Sequence, residues 1–239
     1  QTIDGRCVRI ISTGKEGMQD YFEKQSETEG EWLRKHPKVC LTYIDEADFD
    51  YAETRNLGFR QAAIESGGTA DLFVVSMTQD AVPCDDNMIE ELLKAFKENP
   101  SVAVGYARQV PFDDASIEEK FTRFFNYPEE SREKKLTDVR ELGIKTYFNS
   151  NVCSMYRMDL WTKFGGFDAP AIFNEDMVYA SKIIKGGFSV YYAADAKVFH
   201  SHNYNAKKQF SRNFDLGVSQ KKHPEVFDSS VSSSKEGIR

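Results

Sequence analysis

LFVVSM at residues 72–77, followed directly by TQDAVP at residues 78–83, carries the strongest indication of architecture in this sequence. The first segment is an almost unbroken apolar run, which is typical of a strand covered on both faces. A polar segment follows at once, and in open α/β sheets ligands bind beyond the carboxyl ends of the strands. The pattern therefore predicts a strand covered on both faces, with Asp80 at a position where a ligand could bind.

Apolar runs that predict strands alternate along the chain with segments that predict helices. Strands are predicted at residues 7–11, 39–44, 72–77, 102–106, 146–156 and 190–200. Helices are predicted at residues 18–35, 54–66, 87–98 and 175–185, with a mainly helical excursion at 111–141. This alternation predicts an α/β protein with a mostly parallel central sheet flanked by helices. We expect one domain over residues 1–228 and a flexible serine-rich tail over 229–239.

Composition excludes several classes of protein. The chain has 239 residues, of which 40% are hydrophobic and 29% charged, and its formal net charge is −7. Without a dense Lys/Arg stripe it does not resemble a nucleic-acid binder. The apolar runs are too short to span a bilayer, and no signal-peptide pattern is visible. We therefore expect a cytoplasmic protein with at most peripheral contact at the inner face of the plasma membrane.

The four cysteines lack CxxC spacing, so the sequence does not predict a zinc site. Cys7, Cys40 and Cys153 lie among apolar neighbours. We expect them to be buried free thiols in a reducing compartment.

Asp80 and a late histidine pair are candidates for a metal site. Asp80 follows a predicted strand, where it can bind a divalent cation or cap the next turn. His200 and His202 end the last predicted strand, and alternation places both on one face of an extended segment. Imidazoles paired in this way bind borderline divalent metals, although a single histidine is usually structural.

Asn174-Glu175-Asp176 opens the predicted helix 175–185 and permits two interpretations. Asparagine is a preferred N-cap residue, and acidic residues in the first turn complement the helix dipole. Alternatively, one carboxylate is a general base aimed at an acceptor hydroxyl. Gln209 and Arg212 share a later helical face, where the arginine suits either a diphosphate or a surface ion pair.

Seven stretches, taken in order, resemble the family 2 glycosyltransferases, in particular the bacterial rhamnosyltransferases of surface-polysaccharide assembly. They are 49–58 (FDYAETRNLG), 78–83 (TQDAVP), 106–111 (YARQVP), 148–151 (FNSN), 165–167 (GGF), 174–176 (NED) and 200–204 (HSHNY). The resemblance runs from about residue 48 to residue 217. It implies the GT-A fold, a nucleotide-sugar donor and an inverting single displacement.

The resemblance also implies a metal site and a catalytic base. Asp80 matches the last aspartate of the family's Asp-x-Asp motif, with Thr78 at the first position. His200 resembles the late histidine that completes coordination of Mg²⁺ or Mn²⁺, and His202 is the second candidate. Asp176 lies where the family has its catalytic base.

Two sets of binding residues are implied in the same way. The donor and phosphate set is Arg55, Asn56, Gln79, Asp80 and Arg212, the last in a relaxed Gln-x-x-Arg-Trp motif. The acceptor set is Arg108, Asn151 and Glu175. The implied partners are a nucleotide-sugar donor such as dTDP-rhamnose, a glycan or lipid-linked glycan acceptor, and a second copy in a homodimer.

The early chain departs from this family. By the resemblance, we expect this sequence to lack the first strand–helix unit that cradles the nucleotide, and Ser12 to stand at the position of the usual aspartate. The sequence therefore leaves two functions open. One is transfer of a deoxysugar, preferably rhamnose, to a surface polysaccharide. The other is a non-catalytic glycan- or nucleotide-binding module. An α/β hydrolase is excluded because no Gly-x-Ser-x-Gly elbow is present.

Overall fold

The computed structural model describes residues 7–227, so the predicted tail at 229–239 lies outside the described residues. The strands are β1 (Val8–Thr13), β2 (Val39–Ile44), β3 (Phe73–Met77), β4 (Val82–Pro83), β5 (Val102–Val110), β6 (Arg132–Lys134), β7 (Cys153–Arg157) and β8 (Ser189–Phe199). The α-helices are α1 (Glu16–Lys24), α2 (Glu29–Lys35), α3 (Tyr51–Glu65), α4 (Met88–Glu98), α5 (Ile117–Asn126), α6 (Val139–Leu142), α7 (Met158–Lys163), α8 (Glu175–Lys185), α9 (Ala206–Lys222) and α10 (Pro224–Phe227).

The larger sheet has the order β3-β7-β5-β8-β4, and β6 also pairs with β8. The predicted α/β architecture with flanking helices is confirmed. The predicted mostly parallel direction is wrong for this sheet, because β5 and β8 are parallel while the other four described pairs are antiparallel. The chain reaches β7 from β5 through residues 111–152, which contain α5, the short strand β6 and α6. It does not use the crossover helix that a parallel neighbour needs.

A separate two-stranded parallel sheet is formed by β1 and β2. Within residues 7–227 it has no ladder to the larger sheet, so β1 and β3 each leave one edge unpaired. Helix α3 contacts both edges: a Cβ at Gly58 would lie 3.0 Å from Ile11, and Arg55 Nε donates to Ser76 Oγ at 3.3 Å.

Several element boundaries differ from the predictions for local reasons. The predicted helix 18–35 is two helices, because Ser26 has φ 55° and Thr28 caps α2 with a reciprocal bond to Glu31. β3 lies at the edge of the larger sheet, and its ends are exposed. Val74 and Val75 pack against different hydrophobic clusters, so the strand is covered on both faces as predicted. The predicted strand 146–156 shortens to β7.

Two hydrophobic clusters cover the opposite faces of the larger sheet. One contains α7 and α8 around Tyr156 and Tyr179, and the other contains α4 around Leu92 and Met155. Among residues 7–227, no helix is both long enough and apolar enough to span a membrane. These packed faces hold the strand ends that carry the site.

Candidate active site

Asp80, His200 and His202 converge beyond the carboxyl ends of two strands. Asp80 lies in the turn between β3 and β4, and the two histidines follow β8. His200 Nε2 lies 3.6 Å from Asp80 Oδ1, and His202 Nε2 lies 3.3 Å from Asp80 Oδ2. Their potential ligand atoms all lie within 4.8 Å of one another. One carboxylate and two imidazoles at this spacing suit a borderline divalent cation. We call these three residues the carboxylate–imidazole cluster.

Gln109 on β5 fixes the tautomer of His200. Gln109 Oε1 accepts a hydrogen bond from the Arg123 guanidinium and lies 2.9 Å from His200 Nδ1. Because arginine only donates, the shared atom is the amide oxygen, and Nδ1 of His200 carries the proton. Nε2 therefore presents its lone pair toward Asp80, which is the form of imidazole that binds a metal.

Burial keeps the two imidazoles neutral. Desolvation, with Arg123 nearby, lowers the pKa of His200 to about 4, and desolvation also lowers the pKa of His202. Desolvation opposes ionisation of Asp80, but the Thr78 hydroxyl and the two histidines outweigh it and lower the pKa of the Asp80 carboxyl. At neutral pH the cluster is one carboxylate with two neutral imidazoles, as metal binding requires.

Asp176 is a half-buried carboxylate at the start of α8. Its Oδ2 accepts a hydrogen bond from Asn151 N at 3.0 Å, and its Oδ1 accepts one from Met177 N at 2.8 Å. Desolvation, with Glu175 beside it, raises the pKa of Asp176 to about 7. A carboxyl group that titrates near neutral pH is suited to accept and release a proton under working conditions.

Glu175 and Arg55 form an ion pair beside Asp176. Arg55 Nη1 lies 3.1 Å from Glu175 Oε1, which also accepts a hydrogen bond from Asn151 Nδ2 at 2.9 Å. Arg55 Nη1 donates to Tyr51 O at 2.8 Å as well. The predicted donor residue Arg55 and the predicted acceptor residues Asn151 and Glu175 therefore share one network around Asp176.

The interpretation of Asn174-Glu175-Asp176 as a helix cap agrees only in part with the structure. Asn174 is at the N-cap position of α8, but its backbone is left-handed (φ 65°) and its side chain makes no capping bond. The two acids lie in the first turn, where the helix dipole stabilises negative charge. Their side chains nevertheless point into the network around the candidate base.

The backbone of residues 150–152 connects the carboxylate–imidazole cluster to Asp176. Ser150 Oγ accepts a hydrogen bond from Gln109 Nε2 at 2.8 Å, and the carbonyl of residue 152 accepts one from Thr78 N at 3.1 Å. Between these two bonds, the N–H of residue 151 donates to Asp176. The cluster and the candidate base are thus held by one continuous set of hydrogen bonds.

Two side chains tie α3 to the loop before α8, and we call these bonds the α3 clasp. Asp50 caps α3 with Oδ1, and its Oδ2 accepts a hydrogen bond from Ala171 N at 2.7 Å. Asn56 donates to Phe167 O at 2.9 Å and accepts from Phe167 N at 3.0 Å. Asn56 is buried and uses both ends of its amide in these bonds, which favours a structural role over the expected contact with the donor.

The other predicted binding residues lie around the rim of the site. Arg212 lies over the ring of Phe173, 4.8 Å from its centroid, and its charge helps to lower the pKa of a cluster histidine. Gln79 is exposed in the turn that carries the cluster carboxylate. Arg108 Nη2 lies 3.0 Å from Glu129 Oε1. Arg212 and Gln79 are therefore near the cluster, whereas Arg108 is engaged in an ion pair.

The cysteines only partly match their expected burial. Cys153 is buried, as predicted, but Cys40 is half-buried and Cys7 is exposed, because both lie in the small two-stranded unit. Cys7 Sγ lies 3.6 Å from Cys40 Sγ, and the Glu65 carboxylate completes a second group of potential ligands. That carboxylate is already paired with Arg9.

Gln109 and Arg123 were missed by the sequence analysis. Gln109 is buried in β5, whose other side chains are mostly apolar, and a polar side chain in such a strand requires hydrogen-bond partners. A glutamine in a mostly apolar strand was therefore the sequence feature that could have identified Gln109. Arg123 gave no signal, because a basic residue in a charged amphipathic helix is ordinarily exposed.

The fold is of the GT-A type, which solved structures of similar shape share. A mannosyltransferase from Pyrobaculum calidifontis, in complex with GDP-Man and Mn²⁺, aligns with a TM-score of 0.58 at 15% identity, over 92% of this chain and 64% of that chain. S. aureus TarS in complex with UDP-GlcNAc aligns with a TM-score of 0.57 at 13% identity, over 92% of this chain and 58% of that chain.

The chain belongs to glycosyl transferase family 2, whose family model matches residues 22–164. It is 38% identical over 180 residues to O-antigen chain rhamnosyltransferase RfbN of Salmonella typhimurium, covering 75% of this chain and 55% of the relative. It is 39% identical over 178 residues to O-antigen chain rhamnosyltransferase WbaN of Salmonella anatum, covering 74% and 54%. The chain thus spans about half the length of these relatives.

Proposed function

We propose that this chain carries the catalytic centre of an inverting glycosyltransferase that moves rhamnose from a nucleotide-sugar donor to a growing O-antigen-type glycan. The observation that carries the proposal is the convergence of Asp80, His200 and His202, which hydrogen bonds of residues 150–152 connect to the half-buried, proton-accepting Asp176. Membership of family 2 and the two rhamnosyltransferase relatives support the reaction and the sugar. The expected setting is the cytoplasmic side of the plasma membrane, where a lipid-linked acceptor would be available.

The carboxylate–imidazole cluster is the proposed site for Mg²⁺ or Mn²⁺. The donor set fits a divalent cation, because Asp80 supplies one anionic oxygen and Gln109 leaves His200 Nε2 unprotonated. A divalent cation bound there would neutralise charge on the leaving diphosphate. Mn²⁺ in the complex of the Pyrobaculum mannosyltransferase supports this assignment. Arg212, on the rim, supplies a further positive charge for the diphosphate.

Asp176 is the proposed general base. An acceptor hydroxyl transfers its proton to a carboxylate oxygen of Asp176 while its own oxygen forms the bond to the anomeric carbon. The bond from that carbon to the diphosphate oxygen breaks, and its electron pair leaves with the nucleotide diphosphate. Attack from the face opposite the leaving group inverts the anomeric configuration.

The Arg55–Glu175–Asn151 network is proposed to orient the base and the acceptor. Glu175 places a second negative charge beside Asp176, which favours uptake of the proton during the reaction. Asn151 fixes the position of the Asp176 carboxylate through its backbone N–H. Gln79 and Arg108 remain proposed contacts on the donor and acceptor sides.

A transfer assay with dTDP-rhamnose, Mn²⁺ and a rhamnose-accepting glycan tests the proposal. Asp176→Asn should lower kcat by at least about 100-fold, because general-base catalysis contributes that much or more. Asp195→Asn, which changes an exposed carboxylate on β8, is the matched control and should keep full activity. Unchanged turnover in Asp176→Asn would remove Asp176 from the mechanism. Sedimentation analysis of the same samples would test the expected homodimer.

The second candidate is a binding module without catalysis, which the separation of β1 and β2 from the larger sheet favours. Calorimetry with dTDP, with and without Mn²⁺, distinguishes the two functions. Nucleotide binding that requires Mn²⁺ supports the transferase. Binding of the glycan alone, with no binding of the nucleotide, would support the module.

A further inference from the structure

Helix α5 has its apolar face turned outward. At 100° per residue, Ile117, Phe121, Phe124 and Phe125 fall within a sector of about 100°. Their exposures range from 53% for Phe125 to 83% for Ile117, and no residue of the helix is buried. An amphipathic helix on a globular protein normally turns this stripe to the core. Its outward orientation here requires a ligand or partner as its explanation.

The charged face of α5 is the one that packs on the protein. Glu119 Oε1 accepts hydrogen bonds from Arg123 Nε at 2.7 Å and from His202 N at 3.1 Å. Arg123 in turn binds Gln109 in the candidate active site. These bonds fix the rotation of the helix, so the phenylalanines cannot turn inward without breaking them.

Helix α9 presents a second exposed face on which two phenylalanines lie between two lysines. Phe210 is 73% exposed and Phe214 is 63% exposed. Lys207 and Lys221 fall with them in a sector of about 60°. The whole helix has five basic residues and one acidic residue, in a chain whose net charge is −7.

The two helices begin at the same place. Ser116, the N-cap of α5, donates its backbone N–H to Asn203 Oδ1 at 2.8 Å, and Asn203 Nδ2 donates to Asp114 O at 3.1 Å. Asn205, two residues further on, caps α9. The segment 200–205, which begins with the cluster histidines, therefore joins the active site to the first turns of both helices.

We propose that these exposed faces of α5 and α9 dock the protein onto an anionic phospholipid surface. The docking face consists of Ile117, Phe121, Phe124, Phe125, Phe210 and Phe214, with the lysines of α9 at its border. Phenylalanine inserted at the acyl boundary with lysine at the head groups is the pattern of an interfacial helix. Docking would hold the candidate active site close to the membrane surface, where a lipid-linked glycan would be available.

The lysines of α9 favour a lipid surface over a protein partner as the ligand of the docking face. Lysine is depleted from protein–protein interfaces, whereas aromatic residues are enriched there. The α9 face carries both residue types in one sector, which suits a protein interface poorly and an anionic bilayer well. This inference does not depend on the transfer reaction, since its test contains no sugar nucleotide and no metal.

Co-sedimentation of the full chain with vesicles tests the inference. One vesicle population contains phosphatidylcholine and phosphatidylglycerol, and the other contains phosphatidylcholine alone. We expect binding to the anionic vesicles only, with release at high salt. Phe121→Ser with Phe125→Ser should weaken vesicle affinity by about tenfold for each phenylalanine. Lys207→Glu with Lys221→Glu should weaken it by at least about fivefold for each lysine.

Ile64→Ser is the matched control, because Ile64 is 78% exposed on α3 but lies outside the docking face. It should bind vesicles like the unmodified chain. In a second measurement, Phe121→Trp should shift its emission to the blue when anionic vesicles are added. Absence of vesicle binding by the unmodified chain, or equal binding by the double phenylalanine variant, would overturn the inference. A dimer in solution that the phenylalanine substitutions abolish would assign the face to a second copy instead.

Discussion

Replacing Asp176 with asparagine should change the free energy of unfolding in a way that reverses sign with pH. Below about pH 4 the carboxyl is protonated in both folded and unfolded chains. As the pH rises, the unfolded chain releases this proton near its ordinary pKa of 3.8, whereas the folded chain keeps it until about pH 7. The folded state therefore loses stability across that interval and regains none above it.

The magnitude follows from the pKa difference. About three pH units at about 1.4 kcal/mol each give a penalty of about 4 kcal/mol above pH 7, as an upper bound for a half-buried group. Asparagine does not ionise, but it leaves one of the N–H groups of Asn151 and Met177 without an oxygen acceptor, at a cost of about 1–3 kcal/mol. The variant should be more stable by about 1–3 kcal/mol at pH 8 and less stable by a similar amount at pH 4.

Urea unfolding of both proteins at pH 4, 6 and 8, without metal, measures this difference. Asp195→Asn, at an exposed position, should differ from the unmodified chain by less than about 0.5 kcal/mol at each pH. A stability difference between Asp176→Asn and the unmodified chain that stays constant from pH 4 to pH 8 would refute the reasoning. The same substitution should remove the proposed base. A gain in stability would therefore show that keeping a carboxylate at position 176 lowers the free energy of unfolding.

Three further outcomes concern the metal site and the α3 clasp. His200→Ala should weaken Mn²⁺ binding by at least about tenfold in calorimetry, since it removes one of two imidazole donors beside Asp80. Gln109→Leu should weaken Mn²⁺ binding by about 10–100-fold and leave His200 in mixed tautomers, which nitrogen NMR of the imidazole detects. Asn56→Ala should lower the free energy of unfolding by about 2–3 kcal/mol, because both backbone groups of Phe167 lose their partner.

Controls at unrelated positions make these outcomes specific. His223→Ala changes a histidine that pairs with Glu225 near the end of the described chain, so Mn²⁺ affinity should not change. Asn213→Ala changes an exposed amide on α9 and should have little effect on unfolding. Equal Mn²⁺ affinities in His200→Ala and His223→Ala would contradict the proposed cation site.

The ends of the strands could be predicted from the sequence, whereas the partners of buried groups could not. Asp80 and the histidine pair could be identified from the sequence because strand ends and period-two alternation are local properties. The role of Gln109 depends on Arg123, which lies in another element and reaches it only after folding. The raised pKa of Asp176 likewise depends on desolvation by the packed structure.

The direction of the strands and the orientation of α5 illustrate the same limit. Alternating strand and helix signals predicted a mostly parallel sheet, but the excursion between β5 and β7 brings the chain back antiparallel. The amphipathic pattern of α5 was visible as interspersed aromatics. Which face points outward was decided by the long-range bonds of Glu119 and Arg123.

The α3 clasp has a consequence for the order in which this protein gains and loses activity. Its two halves join residues 111 and 121 positions apart in the chain, so they form only after a large loop has closed. Local opening of α3 would free the loop that leads to Asp176, the proposed base, while the rest of the core stays packed. During refolding we therefore expect turnover to return after the tryptophan fluorescence of the core, and during gentle denaturation to disappear before it.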